Sequence, residues 1–253
     1  MGKVLAMPFE GSIENLAATT APQDVSLEDA ATFDVLRKMR EDILCCVLKP
    51  DQKLRFGELR QRYGTSVGTL REALSHLVSE GLARTEAGRG FQVAPISLAD
   101  FLDLSELRVY LETRTLADAI RHGTDAWEAE IVSSYFLLNK LAPPRQDDPV
   151  SVKREWGKRH KRFHDSLVAT CRSPWSLHFR SELFDQARRY HWLTMIHARS
   201  RRRNEHLDLR DAVLARNVDL ACGLIEKHIR TTVQQAASEV PGLTLDMAKR
   251  KKA

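Results

Sequence analysis

The sequence lacks long apolar runs and is poor in aromatic residues, which make up 7% of its 253 positions. Its longest apolar run, Ile43–Leu48, is too short to span a bilayer. The first thirty residues hold several acids and no apolar stretch of the kind found in a signal peptide. No C-x-x-C pair occurs among the four cysteines, Cys45, Cys46, Cys171 and Cys222. These absences predict a cytoplasmic protein with reduced thiols and no membrane span.

Charge is distributed unevenly along the chain. The 39 basic and 34 acidic residues leave a net charge of +5 at neutral pH, which by itself only hints at a polyanionic partner. Residues 1–32 sum to −4, whereas residues 33–95 sum to +3. The hydrophobic fraction of 43% is sufficient for packed cores and excludes a wholly disordered chain.

Composition divides the chain into four parts. Residues 1–32 show no helical stripe, which predicts a flexible arm. Pro95 follows a strand-like run and predicts a joint between a small domain over residues 33–95 and a larger domain over residues 96–240. Residues 241–253 end in a basic run and are expected to form a frayed, solvated tail.

The small first domain carries the periodicity of three helices. Apolar residues at helical spacing predict a helix over Phe33–Leu48. Two shorter helices are predicted next, over Phe56–Tyr63 and over residues 66–80. Gly64 suits the left-handed backbone at the end of the first of these, and Ser66 can cap the second. Two helices joined by so tight a turn form a helix-turn-helix pattern.

A β-hairpin is predicted directly after these helices. Residues 82–85 and 91–94 are β-like runs, and the residues between them include Gly88, Arg89 and Gly90. A hairpin with a Gly-rich, basic tip that follows a helix-turn-helix forms a wing. The first domain is therefore predicted to be a winged helix-turn-helix.

The motifs of this domain resemble the reading head of GntR-family bacterial transcription regulators. The matching residues are Lys49-Pro50, Glu58-Leu59, Tyr63-Gly64-Thr65-Ser66, Leu70-Arg71-Glu72-Ala73-Leu74, Leu77, Glu80-Gly81-Leu82, Gly90-Phe91 and Val93. The resemblance implies a sequence-specific regulator that binds double-stranded DNA. The family usually has Arg at the position of Val67 and Pro at that of Thr69, so we expect an operator that differs from the family's common one.

The N-terminal turn of the second short helix is the part that enters the major groove in such folds. Residues of this turn can reach phosphates or base edges, and the wing tip can enter the minor groove. The predicted DNA-binding residues are Ser66, Gly68, Thr69, Arg71, Arg89 and Gly90. Taken alone, Arg71 would more simply pair with acids on a solvated helix face. Its place within a winged helix-turn-helix favours contact with DNA.

The chain from Leu98 onward has helical periodicity and no strand-like alternation, which predicts an antiparallel α-helical bundle. The predicted helical segments cover residues 100–122, 125–140, 150–171, 177–200, 205–216 and 219–237. The whole fold is thus predicted to be mostly α, with a small β-hairpin in the first domain.

Four histidines lie on inward stripes of three of these helices. His160 and His164 are four residues apart on one apolar stripe, while His206 and His228 share faces with apolar residues of two further helices. Helical bundles build metal sites in this way, and neutral imidazole suits Zn²⁺ or Ni²⁺. Each histidine taken singly is more simply a core or surface residue. The remaining histidines of the bundle are interpreted as structural: His122, His178, His191 and His197.

The second domain resembles FCD, the effector domain of the FadR-like branch of the GntR family. The motifs are Arg108-x-x-x-Glu112, His160-x-x-Phe163-His164, Glu205-His206 and Lys227-His228. In metal-binding members an Asp stands at the position of His160, whereas three histidines match His164, His206 and His228. The resemblance implies a metal site that grips a small organic acid, with the ligand role of His160 left open.

The resemblance also bears on the effector. Arg108 could form a bidentate pair with a carboxylate, although an intrahelical pair with Glu112 fits the spacing equally well. Tyr190 and Trp192 could wall the pocket or simply pack in the core. Carbon-starvation-induced regulators, which answer to glutarate, are similar in Phe163–Leu167, Cys171-x-Ser173-Pro174-Trp175 and Arg189-Tyr190. This similarity implies a short dicarboxylate.

The sequence therefore predicts a cytoplasmic, homodimeric transcription regulator, a repressor in the family's commoner pattern, whose operator binding responds to a small carboxylate. A metal-dependent enzyme in the bundle is one alternative, but no inward carboxylate is available as a general base beside the histidines. A regulator whose signal is the metal ion itself is the other alternative.

Overall fold

The structure is a computed structural model that describes residues 27–86, 88, 90–145, 148–194 and 201–239. Within these residues the chain forms nine helices and three short strands. A small mixed unit comes first and a set of six helices follows, so the mostly helical fold predicted from the sequence is confirmed.

The first unit, called the head below, consists of residues 27–94. Its elements are α1 (Leu27–Leu44), β1 (Lys53–Leu54), α2 (Phe56–Tyr63), α3 (Val67–Ser79), β2 (Ala83–Glu86) and β3 (Gly90–Val93). Met39 and Ile43 of α1 pack in the same core as Leu70 and Leu74 of α3, and none of the four is exposed. Each such burial contributes on the order of 2 kcal/mol, so the contact between α1 and α3 holds the head together.

The start of α1 differs from the prediction. The helix begins at Leu27, inside the stretch that was expected to be a flexible arm. Leu, Glu and Ala are strong helix formers and dominate this first turn. The hydroxyl of Thr32 also donates a hydrogen bond of 3.1 Å to the Glu72 carboxylate on α3, which ties this end of α1 to the core. Residues 1–26 and the predicted tail over residues 241–253 lie outside the described residues.

The end of α1 also differs from the prediction, at Leu44 rather than Leu48. Cys46 has a left-handed backbone with a φ of 54°, which turns the chain out of the helix. The amides of Val47 and Leu48 then both donate to the carbonyl of Asp42, at 2.8 and 3.0 Å. The apolar run therefore continues past the helix as a buried turn.

The predicted hairpin is present, and it is part of a three-stranded antiparallel sheet. β2 pairs with β3 in a register that places Arg84 opposite Gln92. The sequence reading missed β1, which pairs with the other edge of β3 so that Lys53 also faces Gln92. The strand order is β1-β3-β2. β1 is held by a partner that is distant in sequence, so no local pattern marks it.

The remaining helices form an antiparallel bundle. They are α4 (Leu98–His122), α5 (Asp125–Asn139), α6 (Val150–Leu167), α7 (Pro174–Thr194), α8 (Arg201–Leu214) and α9 (Val218–Glu239). Two helices begin at side-chain caps: Ser97 accepts from the Asp100 amide, and Thr124 accepts from the Trp127 amide. None of the described helices is long and apolar enough to cross a membrane.

α7 joins the bundle to the head. On one side its Arg188 and Trp192 side chains reach Gly157 of α6, where a Cβ would lie 3.3 Å from both. On the other side its Asp185 binds Arg40 of α1, and its Arg188 binds Glu41 of α1. α7 thus touches both the interior of the bundle and the helix that packs on α3.

Candidate DNA-reading surface and metal centre

The N-terminal turn of α3 is exposed and held in shape by its own side chains. α2 ends at Gly64, whose φ of 65° is a left-handed conformation that glycine adopts without strain. Ser66 then caps α3 by accepting a hydrogen bond of 3.2 Å from the Thr69 amide. The two hydroxyls lie 3.0 Å apart. The predicted Ser66 cap is confirmed, and it fixes the geometry of this turn.

Arg71 and Gly68 lie on the same exposed side of α3. The Arg71 guanidinium lies over the ring of Phe56, 5.9 Å from its centroid, and pairs with no acid among the described residues. The simpler interpretation, an ion pair on the helix face, is therefore not what the structure shows. At the wing, Gly90 is exposed with a φ of 91°, while Arg89 lies outside the described residues.

The four predicted histidines come together inside the bundle. His160, His164, His206 and His228 are all buried, and one ligand nitrogen of each lies within 4.8 Å of the others. Three of the Nε2 atoms form a nearly equilateral triangle. The sides are 3.1 Å from His164 to His160, 3.2 Å from His160 to His206, and 3.3 Å from His164 to His206.

This triangle has the size of a ligand set for one metal ion. Two nitrogens bound at 2.0–2.1 Å lie about 3.0 Å apart at octahedral angles and about 3.4 Å apart at the tetrahedral angle. The observed separations fall between these two values. The cluster could therefore hold a divalent ion without rearrangement of the helices, and His160 belongs to it geometrically.

Burial keeps the imidazoles of His160 and His164 neutral. Loss of solvent lowers the pKa of His160 and of His164 well below 6.5, and the neighbouring histidines lower both pKa values further. Neutral imidazole is the form that binds a metal. The Nδ1 atom of His164, on the far side of the ring from the triangle, is buried without a hydrogen-bond partner.

His228 is oriented by a carboxylate. Its Nδ1 lies 2.9 Å from Oε2 of Glu205, the residue before His206. A proton on Nδ1 that is donated to Glu205 leaves Nε2 unprotonated and available as a ligand. A carboxylate behind a histidine in this way is the usual support of a metal-binding imidazole. The Glu205-His206 motif could thus supply one ligand nitrogen and the support of another.

Arg108 lies in the wall of a small cavity beside the histidines. The cavity has a volume of about 30 Å³ and is bounded by α4, α6, α7 and α9, with His160, His164 and His228 in its lining. Arg108 Nη2 lies 3.4 Å from Glu112, while its buried Nε has no hydrogen-bond partner. Both sequence interpretations of Arg108 are therefore partly realised: it pairs loosely with Glu112, and it faces the cavity.

The sequence reading missed Arg180, which is buried and binds the same glutamate more tightly. Its Nε donates to Glu112 Oε2 at 2.7 Å, and its Nη1 donates to Asp165 at 2.6 Å. The two arginines hold the pKa of the Glu112 carboxyl below its usual value although burial opposes them. In the sequence, the only signal for Arg180 is that it stands as a single arginine on an otherwise apolar stripe of its helix.

The two aromatic residues proposed as pocket walls lie outside the lining of this cavity. Tyr190 stacks on Phe101 and donates a hydrogen bond of 2.6 Å to Asp100. Trp192 packs edge-on against Trp156. His191, which was interpreted as structural, is instead part of the lining, and its ring lies 5.2 Å from that of His160.

Each of the two units of the chain matches a known protein family. Residues 32–93 match the bacterial regulatory proteins of the gntR family, and residues 103–231 match the FCD domain. The chain is 40% identical to the HTH-type transcriptional regulator BphR of Paraburkholderia xenovorans over 205 residues, which cover 80% of this chain and 82% of BphR. It belongs to the GntR family, in the branch that carries an FCD domain.

Other relatives agree with this GntR assignment. The HTH-type transcriptional repressor GlaR of Escherichia coli is 35% identical over 208 residues, which cover 80% of this chain and 94% of GlaR. E. coli McbR/YncC has the same fold, with a TM-score of 0.69 at 17% identity over 82% of this chain and 97% of that one. A GntR regulator from Rhodococcus sp. RHA1 superposes with a TM-score of 0.67 at 18% identity, over 83% and 99% of the two chains. This GntR protein is a DNA-binding transcription regulator and not an enzyme.

Proposed function

We propose that this GntR regulator is a repressor whose hold on its operator is released by a short dicarboxylate bound at the histidine cluster. The observation that carries the proposal is one cavity lined by the imidazoles and by Arg108, whose buried Nε has no partner. GlaR, which covers most of the same chain, is named a repressor. A metal ion held by the histidines and the guanidinium of Arg108 would offer two positive charges to a ligand with two carboxylates.

His164, His206 and His228 would hold a divalent transition metal, Zn²⁺ or Ni²⁺, with His160 as a fourth ligand. When bound, the ion supplies positive charge and open coordination positions to a carboxylate. The chain supplies the rest: burial keeps His160 and His164 neutral, and Glu205 orients His228. All four imidazoles are uncharged ligands, so the ion's double positive charge would be retained and an anionic effector favoured.

Arg108 would bind the second carboxylate. Its present partner, Glu112, is held more closely by Arg180, at 2.7 Å against 3.4 Å. An incoming carboxylate can therefore take over Arg108 while Arg180 continues to neutralise Glu112. A bidentate pair with an arginine this deeply buried discriminates strongly between acids that do and do not carry the second carboxylate.

Effector binding would have to widen the cavity. Its volume of about 30 Å³ has room for about two water molecules and not for a five-carbon acid. α7 provides four of the lining residues: Phe184, Ala187, Arg188 and His191. α7 also carries the contacts to the head, so outward movement of this helix would be felt at α1.

A continuous series of ion pairs leads from the cavity to the reading helix. Its members, in order, are Arg108, Glu112, Arg180, Asp165, Lys161, Asp185, Arg40 and Glu80. The nitrogen–oxygen distances between successive members, in the same order, are 3.4, 2.7, 2.6, 3.3, 4.0, 3.0 and 2.8 Å. Glu80 is the C-cap of α3. We infer that a carboxylate at Arg108 re-pairs this series and shifts the pose of α3.

A homodimer fits this mechanism, because two heads would read the two halves of a near-palindromic operator. Effector binding in each bundle would then change the spacing or tilt of the two heads. Light scattering coupled to size-exclusion chromatography should give twice the chain mass. A monomer that still binds a palindromic operator with full affinity would contradict this part of the proposal.

The test is a thermal-shift titration of metal-loaded protein with glutarate and, in parallel, with butyrate as a monocarboxylate of similar length. At a hundredfold excess over Kd, a specific ligand should raise the Tm by roughly 5–10 °C. Arg108→Gln should abolish the preference for glutarate. Arg114→Gln, an exposed arginine on the same helix, is the matched control and should behave as wild type.

Metal content and operator affinity complete the experiment. His206→Ala should lose the metal and the glutarate response while it still binds an operator selected from random DNA. Protein without metal after growth in metal-replete medium would contradict the metal site. Operator affinity that responds to the ion alone, and to no organic acid, would favour the metal-sensing regulator instead.

A further inference from the structure

A cleft of about 670 Å³ opens between the head and the bundle, on the side of α6 that faces away from the histidines. It is bounded by α1, α5, α6 and α7 and is called the junctional cleft below. Its volume lies in the range of sites that bind small organic molecules of nucleotide size. None of its lining residues comes from α2, α3 or the β-hairpin, so the cleft is set apart from the DNA-reading elements.

Positive charge dominates the lining of this cleft. Three acids, Glu41, Glu130 and Asp165, face six cations. The cations are Arg37, Arg154, Lys158, Lys161, Arg162 and Arg188. Each of the three acids is matched by one cation of the cleft: Glu41 by Arg188, Glu130 by Arg162, and Asp165 by Lys161. Arg37 and Arg154 pair with Asp34 and Asp42 of α1, and each of these two acids is shared with a second cation. Lys158 has no counter-charge among the described residues, so the cleft keeps a small net positive charge.

Much of this charge lies in one stripe along α6. Arg154, Lys158 and Arg162 follow one another at four-residue spacing, so their side chains are neighbours on one helix face. Like charges at this spacing repel one another and destabilise a helix. Lys158 is exposed and forms no ion pair or hydrogen bond with any described residue. Arg154 pairs with Asp42 and Arg162 with Glu130, so Lys158 is the member of the stripe whose repulsion a bound anion would relieve.

The floor of the cleft is a buried arginine side chain with defined hydrogen-bond partners. The Arg188 side chain is about nine-tenths buried, and its two terminal nitrogens donate to the two oxygens of Glu41 at 3.1 and 2.9 Å. Glu41 belongs to the head and Arg188 to the bundle. A carboxylate of the chain therefore already lies in an arginine fork that also suits a phosphate.

We propose that the junctional cleft is a second effector site that binds a multiply phosphorylated small molecule. The uncompensated Lys158 and the arginines that share their carboxylates favour an anion with more than one negative charge, and the cleft volume accommodates a nucleotide-sized one. Lys158 and Arg162 form its rim, and Arg188 forms its floor. A phosphate that reaches Arg188 competes with Glu41, so it loosens a contact between the head and the bundle. It would change operator affinity without binding at the histidines, although it acts through α7, which also lines their cavity.

The test is a calorimetric titration of the full chain with inorganic pyrophosphate at constant ionic strength. Lys158→Ala should weaken binding roughly tenfold, the loss of one charge-assisted contact. Lys140→Ala removes an equal charge from the C-terminal end of α5, outside the cleft, and should leave binding unchanged. Saturating pyrophosphate should also change the affinity of wild-type protein for its operator.

Four other results would overturn the proposal. An equal loss in both lysine variants would indicate nonspecific charge attraction, and no loss in Lys158→Ala would remove the cleft from the interaction. A loss in His206→Ala alone would mean that pyrophosphate binds a metal at the histidine cluster. Weaker nonspecific DNA binding by Lys158→Ala, with pyrophosphate binding unchanged, would make the cleft a surface for DNA phosphates.

Discussion

The Asp185 carboxylate on α7 accepts a hydrogen bond of 3.0 Å from the Arg40 guanidinium on α1. Asp185 is buried and also lies 3.6 Å from Arg188 and 4.0 Å from Lys161. The buried Asp185 carboxylate is thus the acid that these three cations share, although each cation also pairs with a second acid. This position makes Asp185 the clearest place to test the connection between the two units.

Asp185→Asn keeps the shape of the side chain and removes its charge. We expect the protein to lose about 2–3 kcal/mol of stability, because three partly buried cations lose their common partner. The midpoint of urea unfolding measures this loss. Asp34→Asn, at an exposed pair on α1, should leave the midpoint unchanged. If the two variants are equally stable, the junction does not depend on Asp185.

Arg71→Ala tests the reading helix. Arg71 is exposed and unpaired, so its removal should leave folding intact and weaken operator binding by roughly tenfold to a hundredfold. Fluorescence anisotropy with a labelled operator measures the change. Arg37→Ala removes an equal charge from α1 and should retain specific binding. Unaltered discrimination between operator and random DNA in Arg71→Ala would show that the base contact lies elsewhere.

Glu205→Gln tests the support of His228. The glutamine can still accept from Nδ1, but it no longer brings a negative charge to the imidazole. Metal affinity should fall about tenfold to a hundredfold, as measured by competition with a chelator of known affinity. Glu226→Gln, at an exposed carboxylate on α9, should retain full affinity. Equal affinity of Glu205→Gln and wild type would remove this carboxylate from the metal site.

Cys45 reports on the same junction through its pKa. Burial raises the pKa of the Cys45 thiol to about 11, and Glu41 adds to the effect while Arg188 opposes it. The thiolate is the reactive form, so alkylation at pH 8 should be roughly a hundredfold slower than in unfolded protein. The rate should rise about tenfold per pH unit between pH 8 and pH 10.

Mass spectrometry of the modified peptide, in a Cys46→Ser background, measures this rate. Asp185→Asn should accelerate the reaction, because a loosened junction admits solvent to Cys45. A rate that is independent of pH over this range would contradict a buried, protonated thiol.

Local patterns in the sequence were sufficient for most of the fold. Apolar periodicity located each helix, and Gly64 and Ser66 marked the turn between α2 and α3. β1 could not be found in this way, because two residues gain their structure from β3 alone. The early end of α1 was also hidden, since Cys46 belongs to an apolar run that continues unbroken to Leu48.

The candidate site was predictable where one helix carries the pattern. The four-residue spacing of His160 and His164 and the Glu205-His206 pair could be read locally. Arg180 and His191 could not, because their roles depend on how α7 lies against α4 and α6. The prediction that Tyr190 lines the pocket failed for the same reason. Tyr190 is aromatic and buried, but the rotation of α7 about its axis places its ring against Phe101.

Gly157 lies where α6 meets side chains of α7, and the space beside its Cα is too small for a Cβ at ordinary contact distances. A Cβ at this position would lie 3.3 Å from Arg188 Nη2 and from a ring carbon of Trp192, so the neighbours would have to yield by a few tenths of an ångström. The space beside Gly157 is therefore occupied by the ends of two side chains of α7, one of which, Arg188, binds Glu41 of the head. An alanine there would displace the Arg188 guanidinium, so a single methyl group inside the bundle would disturb a contact of the head without any ligand.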